Sequence, residues 1–408
     1  MRYLLIIFSF VLISCGGNRK VMIGMLEDVA VLSHDSLQGR YTGTVYEKKA
    51  ADYIATRFKD LRLEPKGENL YFQDFHFQKG SNPHEETVFT TYEESTTRTG
   101  RNVIAFLDNK AENTVIIGAH YDHLGMGEVG SLHRGEKAIH NGADDNASGV
   151  AVMLHLATVL QAKSAPKNNN YLFIAFSGEE EGLLGSNYFT KNPTIDLSNA
   201  NYMLNMDMVG RLNEENVLAV YGTGTSPNWT LTLDKNTEGL KITKNESGIG
   251  PSDHTSFYLM DIPVLHFFTG QHEDYHKPTD VVEKINVVGM ELIAKYIYNI
   301  ISAVDSAGKL EFTKTKNESD MVPEFKVTLG VVPDYLFDGE GMRIDGISED
   351  KPAQKAGLQR GDIVKQIGEL EIVDMMSYMK ALSKFEKGQT VIIKIERDGN
   401  VEEVELTF

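Results

Sequence analysis

Three near-continuous apolar runs constrain this chain most: NTVIIGA at Asn113–Ala119, YLFIAF at Tyr171–Phe176 and IPVLHFF at Ile262–Phe268. A run without polar alternation reads as a strand covered on both faces, the mark of a largely parallel sheet between helical layers. The stretches between them supply helices and one more strand. Gly149–Lys163 and Val281–Val304 read as helices, and Asn201–Met206 leads into a strand. Upstream, Thr44 and Glu47 form a capping-box pattern, and Ala50, Ile54, Phe58 and Leu61 recur at helical spacing, so Glu47–Leu61 is expected as an amphipathic helix. The expected fold class is α/β, a mostly parallel central sheet flanked by helices, with a small β-rich domain after it.

At 408 residues the chain exceeds one ordinary domain. Lys309–Val322 is polar and unpatterned and Pro323 follows, so residues 309–323 are read as a linker between a domain at 21–308 and a β-rich domain at 324–408. At the other end, Arg2 precedes the apolar run Tyr3–Ile13, too short to span a bilayer and of the right length for a signal peptide. Leu12-Ile13-Ser14-Cys15 resembles a bacterial lipobox. Residues 1–14 are then a signal, Cys15 is the lipidated terminus and 15–20 a tether. The expected location is the bacterial cell envelope, with a lipid anchor holding the body to a membrane outside the cytoplasm. No later stretch is read as spanning.

Charge and cysteine usage narrow the chemistry. Acidic residues number 58 against 40 basic, a net charge of −18, which argues against a nucleic-acid binder and suits carboxylates arranged around cations. Cys15 is the sole cysteine, so the mature fold has no disulfide, thiolate metal site or thiol nucleophile. Five segments place acids or histidines at predicted strand ends or helix starts. They are Gly118–Asp122 (GAHYD), Gly142–Gly149 (GADDNASG), Ser177–Gly182 (SGEEEG), Asn205–Gly210 (NMDMVG) and Asp274–His276 (DYH). Sites of open α/β sheets form at the carboxyl ends of the strands. Histidines and carboxylates without cysteine suit zinc, manganese or cobalt in a catalytic site.

In these five segments, taken in order, the chain resembles peptidase family 28, the co-catalytic two-zinc aminopeptidases, from about Leu32 to Ala303. The resemblance implies two Zn²⁺ per chain. His120 and Asp207 would hold one, Glu180 and His276 the other, and Asp145 would bridge them. Glu179 would be the general base and Asp122 the acid that orients His120. Asp144 competes with Asp145 for the bridging role, and the family register favours Asp145. The implied activity is removal of N-terminal residues from peptides by a metal-bridging hydroxide with Glu179 as base. Charge is consistent with this: three carboxylates and a hydroxide balance two divalent ions. Adjacent extended residues point to opposite sides, so Glu180 can ligate while Glu179 faces the substrate. Asp253-His254 matches a Ser-Asp-His stretch of the family and is read as lying behind the ligands or beside the substrate. The resemblance, together with adjacency to His276, implies that Tyr275 helps stabilise the tetrahedral oxyanion. His123, His133 and His140 are read as shaping the loop between the first two ligands.

Residues 324–408 resemble a PDZ domain of the bacterial protease-associated type. Leu329-Gly330-Val331-Val332 fits the loop that holds a peptide carboxylate through backbone N–H groups. Asp374–Phe385 would be the groove helix, and Asp398-Gly399 marks a hairpin between the last two strands. Expected partners are peptide substrates, and peptide C-termini at this groove. Two other functions fit parts of the chain: a one-zinc enzyme like glutaminyl cyclase, and a catalytically dead scaffold binding peptides through PDZ. The Asp144-Asp145 pair and the complete ligand set argue against both.

Overall fold

The computed structural model describes residues 21–78, 88–90, 97–127, 129–315, 327–334, 337, 339–347 and 351–408. The expected signal peptide, tether and Cys15 lie outside the described residues, as does the latter part of the expected linker. Helix α1 (residues 21–32) precedes a turn at Asp35–Arg40 and helix α2 (Val45–Asp60). The chain continues as β1 (Glu64–Pro65), β2 (Phe72–Gln78), β3 (Val88–Thr90), β4 (Arg98–Leu107) and β5 (Asn113–His120). There follow α3 (Gly149–Val159), β6 (Asn169–Phe176), α4 (Leu184–Lys191), β7 (Ala200–Met206) and β8 (Val217–Tyr221). The domain closes with α5 (Pro227–Thr232), β9 (Lys241–Asn245), α6 (His254–Tyr258), β10 (Val264–Phe268) and α7 (Val287–Val304).

These strands form one sheet in the order β3-β2-β4-β6-β5-β7-β10-β8-β9, with β1 beside β4. The apolar runs occupy its centre. β5 pairs in parallel with β6 and β7, and β7 with β10. Outside that block β4 joins β6 antiparallel and β8 joins β10 antiparallel, so the sheet as a whole is mixed. The absence of polar alternation has a direct cause. Val115, Ile117 and Ala119 of β5 enter a core with α2, α3 and α7, while Ile116 enters a second core with Phe189 of α4 and Phe257 of α6. α7 is long and apolar enough by length and composition to cross a membrane, yet its Met290, Ile293, Ile297 and Ile301 are buried in the first core.

Element ends differ from expectation where side chains compete. The helix expected to reach Lys163 ends at Val159. The helix expected from Val281 begins at Val287, after a 3-10 turn at Val282–Lys284, because Asn286 caps it by accepting from the Gly289 N–H at 2.9 Å. Thr44 caps α2 and accepts the Glu47 N–H at 3.3 Å. The Glu47 carboxylate is not at the surface, however; it turns inward, fully buried, and accepts the Gly43 N–H at 2.7 Å.

The C-terminal domain comprises β11 (Val331–Pro333), β12 (Met342–Ile347), α8 (Pro352–Lys355), β13 (Ile363–Ile367), β14 (Leu370–Glu371), α9 (Met375–Leu382), β15 (Thr390–Arg397) and β16 (Asn400–Thr407). Its sheet runs β11-β12-β13-β15-β16, with a core of its own around Leu329, Ile344, Val364 and Ile393. Asp374 caps α9 in a capping box with Ser377. Residues 309–315, expected as the start of a linker, contact the first domain: Leu310 is buried in its core, its N–H reaches Asn201 Oδ1 at 2.7 Å, and the Thr313 N–H reaches the Thr225 carbonyl at 2.8 Å.

Candidate metal centre and catalytic cleft

Because β6, β5, β7 and β10 are parallel neighbours, their carboxyl ends share one edge of the sheet. His120 ends β5, Ser177-Gly178-Glu179-Glu180 leaves β6, Asp207 follows β7, and the loop after β10 returns to His276. The Ala143–Ser148 turn before α3 brings Asp145 to the same edge. His120 Nε2 lies 3.3 Å from Asp207 Oδ1 and 3.3 Å from Asp145 Oδ1. His276 Nε2 lies 3.3 Å from Asp145 Oδ2 and 3.2 Å from Glu180 Oε2. The two oxygens of Asp145 therefore face two separate donor groups. Asp144 is occupied elsewhere: Oδ1 accepts the Gly210 N–H at 2.6 Å, and Oδ2 sits 3.1 Å from His272 Nε2. Asp280 anchors the turn by accepting the N–H groups of Asp144 and Asp145, each at 3.0 Å.

Glu179 and Glu180 diverge. Glu179 groups with His120 and Asp207, and Glu180 with Asp145 and His123, the donor atoms of each trio lying within 4.8 Å of one another. Their acidities diverge too. Burial and Asp145 push Glu180 up, but His276 and His123 outweigh them and hold it at about 2. Burial, reinforced by Asp207, Glu180 and Asp253 against His120, holds Glu179 well above the usual carboxylate range. Asp122 is buried between its partners. Its Oδ1 accepts the Glu179 N–H at 3.1 Å and its Oδ2 accepts the Thr42 hydroxyl at 3.0 Å. His120 Nδ1 is 3.3 Å from the Asp122 carbonyl and 3.7 Å from its carboxylate, so the residue fixes the imidazole chiefly through its backbone.

The other expected site residues separate. Asp253 is fully buried at the start of α6, and burial, against the pull of His120 and Ser186, pushes it up to about 7. His254 is not in the cleft. Its ring stacks on His266 at 4.5 Å, and it is His266 that lines the cleft. Tyr275 lines the cleft with its ring against His276. His140 bonds Ser131 and Ala138 within its own loop. His123 belongs with the acids: fully buried, its Nδ1 lies 2.7 Å from Glu180 Oε1. Its place three residues after His120, in the turn leaving β5, was the available signal. Leu329 is buried in the C-terminal core. The N–H of Gly330, a residue at φ +75°, donates to the Thr328 hydroxyl oxygen at 3.0 Å, and Val331 and Val332 begin β11, one of the two edge strands of this sheet among the described residues.

The cleft has a volume of about 220 Å³. Met208, Tyr221, Pro251, His266, Phe268 and Tyr275 wall it beside the acids and imidazoles. Burial, against Asp207, lowers His266 to about 4, so this wall carries no charge near neutral pH. Imidazoles and carboxylates converging in two trios, with no thiolate, fit borderline divalent cations such as zinc.

A profile of peptidase family M28 matches residues 102–301, and one of the PDZ domain matches 311–408. The chain is 27% identical over 248 residues to aminopeptidase YwaD of Bacillus subtilis, covering 57% of this chain and 51% of that one. It spans about half the length of the curated relatives it matches. Among solved structures it resembles BSAP, a zinc aminopeptidase from Bacillus subtilis, with TM-score 0.54 at 19% identity over 71% of this chain and 98% of that one. It also resembles a Bacteroides thetaiotaomicron glutaminyl cyclase, with TM-score 0.54 at 17% identity over 69% and 97%. At these identities the structural likeness speaks for the fold alone. The chain carries a peptidase family M28 domain followed by a C-terminal PDZ domain.

Proposed function

We propose that this chain is a two-zinc aminopeptidase. The observation that carries the reading is Asp145, whose two oxygens face His120 with Asp207 on one side and His276 with Glu180 on the other. His120 and Asp207 would hold one ion, Glu180 and His276 the other, and Asp145 would contact both. Two bound zinc ions would supply Lewis-acid activation of water and of the scissile carbonyl. The chain's own residues do the rest. Glu179, raised in pKa by burial, is poised to take the proton of the attacking water and return it to the leaving amine. Tyr275 offers a hydroxyl at the oxyanion side. Tyr221, His266 and Phe268 form an uncharged wall for the side chain of the N-terminal residue.

Zinc analysis, together with aminoacyl-anilides and N-blocked peptides assayed with and without chelator, tests this. About two zinc per chain and chelator-sensitive cleavage that needs a free N-terminus are expected. One zinc with cyclisation of N-terminal glutamine identifies the glutaminyl-cyclase-like alternative, and no zinc the peptide-binding scaffold. We further propose lipid anchoring in the bacterial envelope through Cys15. Cys15→Ala should release a soluble protein or leave an unprocessed precursor, and unchanged membrane retention with normal processing refutes the anchor.

A further inference from the structure

The turn before α2 lies outside the residues matched by the M28 profile, yet it reaches the back of the metal centre. Arg40 is fully buried, and its bonds go to backbone carbonyls on three separate stretches. Nε donates to Tyr121 O at 2.7 Å, Nη1 to Leu32 O at 2.5 Å and Asn141 O at 2.6 Å, and Nη2 to Gly142 O at 3.0 Å. Tyr121 stands between His120 and Asp122, and Gly142 leads into Asp145. Thr42, also fully buried, donates to Asp122 Oδ2 at 3.0 Å, and that carboxylate in turn accepts the Glu179 N–H. The carbonyl of Arg40 accepts the His123 N–H at 3.4 Å. Three ligand-bearing turns are thus tied from behind by two side chains of one short segment.

Burying a guanidinium is costly even with the charges of Asp122, Asp145, Asp280 and Glu180 acting on it, and hydrophobic residues of similar volume often serve stability as well as a buried charge cluster. What an apolar side chain cannot do is bridge several carbonyls in one plane, which the rigid five-donor fork of arginine does. Partners beyond the ligands commonly decide how well a site holds its metal, with losses of about 10–100-fold when they are removed.

We propose that the Arg40–Thr42 turn is a positioning element of the metal centre, Arg40 setting the distance between the turns that carry His120 and Asp145, and Thr42 orienting Asp122. This rests on the metal-binding reading above. The full-length protein and its Arg40→Lys, Arg40→Met and Thr42→Val variants are stripped of metal. Zinc affinity is measured by chelator competition, the visible spectrum after cobalt substitution, and Tm with and without zinc. Arg40→Lys keeps the charge and loses the fork. Zinc affinity should fall about 10–100-fold, the cobalt bands should shift, and the zinc-induced rise in Tm should shrink. A lower Tm of the metal-stripped variant, with zinc affinity and cobalt bands equal to the parent, makes Arg40 merely structural and overturns the proposal. If neither Arg40 variant folds, near-isosteric Thr42→Val decides: weakened zinc binding supports the proposal and parental binding overturns it. Failure of the parent itself to bind zinc refutes the metal-centre reading instead.

Discussion

Glu179 and Glu180 leave the same turn toward different partners, so changing each should fail differently. Glu179→Gln keeps shape but cannot accept a proton, and general-base assistance contributes roughly 10²–10⁴-fold. Turnover should fall by that factor while zinc content stays near that of the parent. Glu180→Gln should lose zinc from one position, and added zinc should partly restore it. Zinc loss in the first variant with retention in the second would reverse the two roles. Glu47 offers a different test. Burial, opposed by Ser177 and the Gly43 N–H, raises its carboxyl to about 8. A group whose folded pKa is raised contributes stability in full below its unfolded value and loses it as pH rises through the folded one. Denaturation of wild type and Glu47→Gln between pH 4 and 9 should show wild type losing ground relative to the variant from about pH 4.5 to 8, by at most about 1.4 kcal/mol per pH unit. A pH-independent difference between the two would mean that Glu47 is ionised in the fold. The ligand candidates were readable because acids and histidines at the ends of apolar strands break the local pattern. Arg40, Thr42 and Glu47 were not, since nothing local distinguishes a buried polar side chain from an exposed one.

Among the elements, strands with both faces covered were legible. β4 was not, because RTGRNVIAFL joins a half-buried polar start to a buried middle that includes Asn102. The short helices α4, α5 and α6 carry too few turns to show a period. Turn geometry was also invisible. Gly142 adopts φ +56°, and a Cβ added there would stand 2.2 Å from the Asp145 carbonyl oxygen and 2.5 Å from the His123 ring. Gly142→Ala must therefore displace the turn that carries Asp145. Zinc affinity should drop at least about tenfold, while near-neutral circular dichroism keeps its α/β signature. Parental zinc affinity in this variant would show that the turn tolerates the shift.

For the whole molecule, the β-rich C-terminal domain was legible as a separate pattern of strands, whereas polarity alone does not show what the segment before it touches. Polar residues 309–315 look like a linker and are held by contacts with Asn201, Thr225 and Tyr258 instead. A deletion of 324–408 that retains them should keep zinc content and turnover of short aminoacyl substrates within about twofold, a change of about 0.5 kcal/mol or less, since the candidate metal donors all belong to the first domain. Loss of zinc from the folded truncation would make the two bodies one functional unit. The parallel order β6-β5-β7-β10 has a last consequence, for the order of events in folding. Donors scattered from His120 to His276 meet only when all four strands have closed, so no early, local fragment can offer a finished set of ligands. A metal ion would then arrive after the main barrier to folding. It should slow unfolding and leave the rate of refolding untouched, acting as a lock on the finished sheet and not as its nucleus.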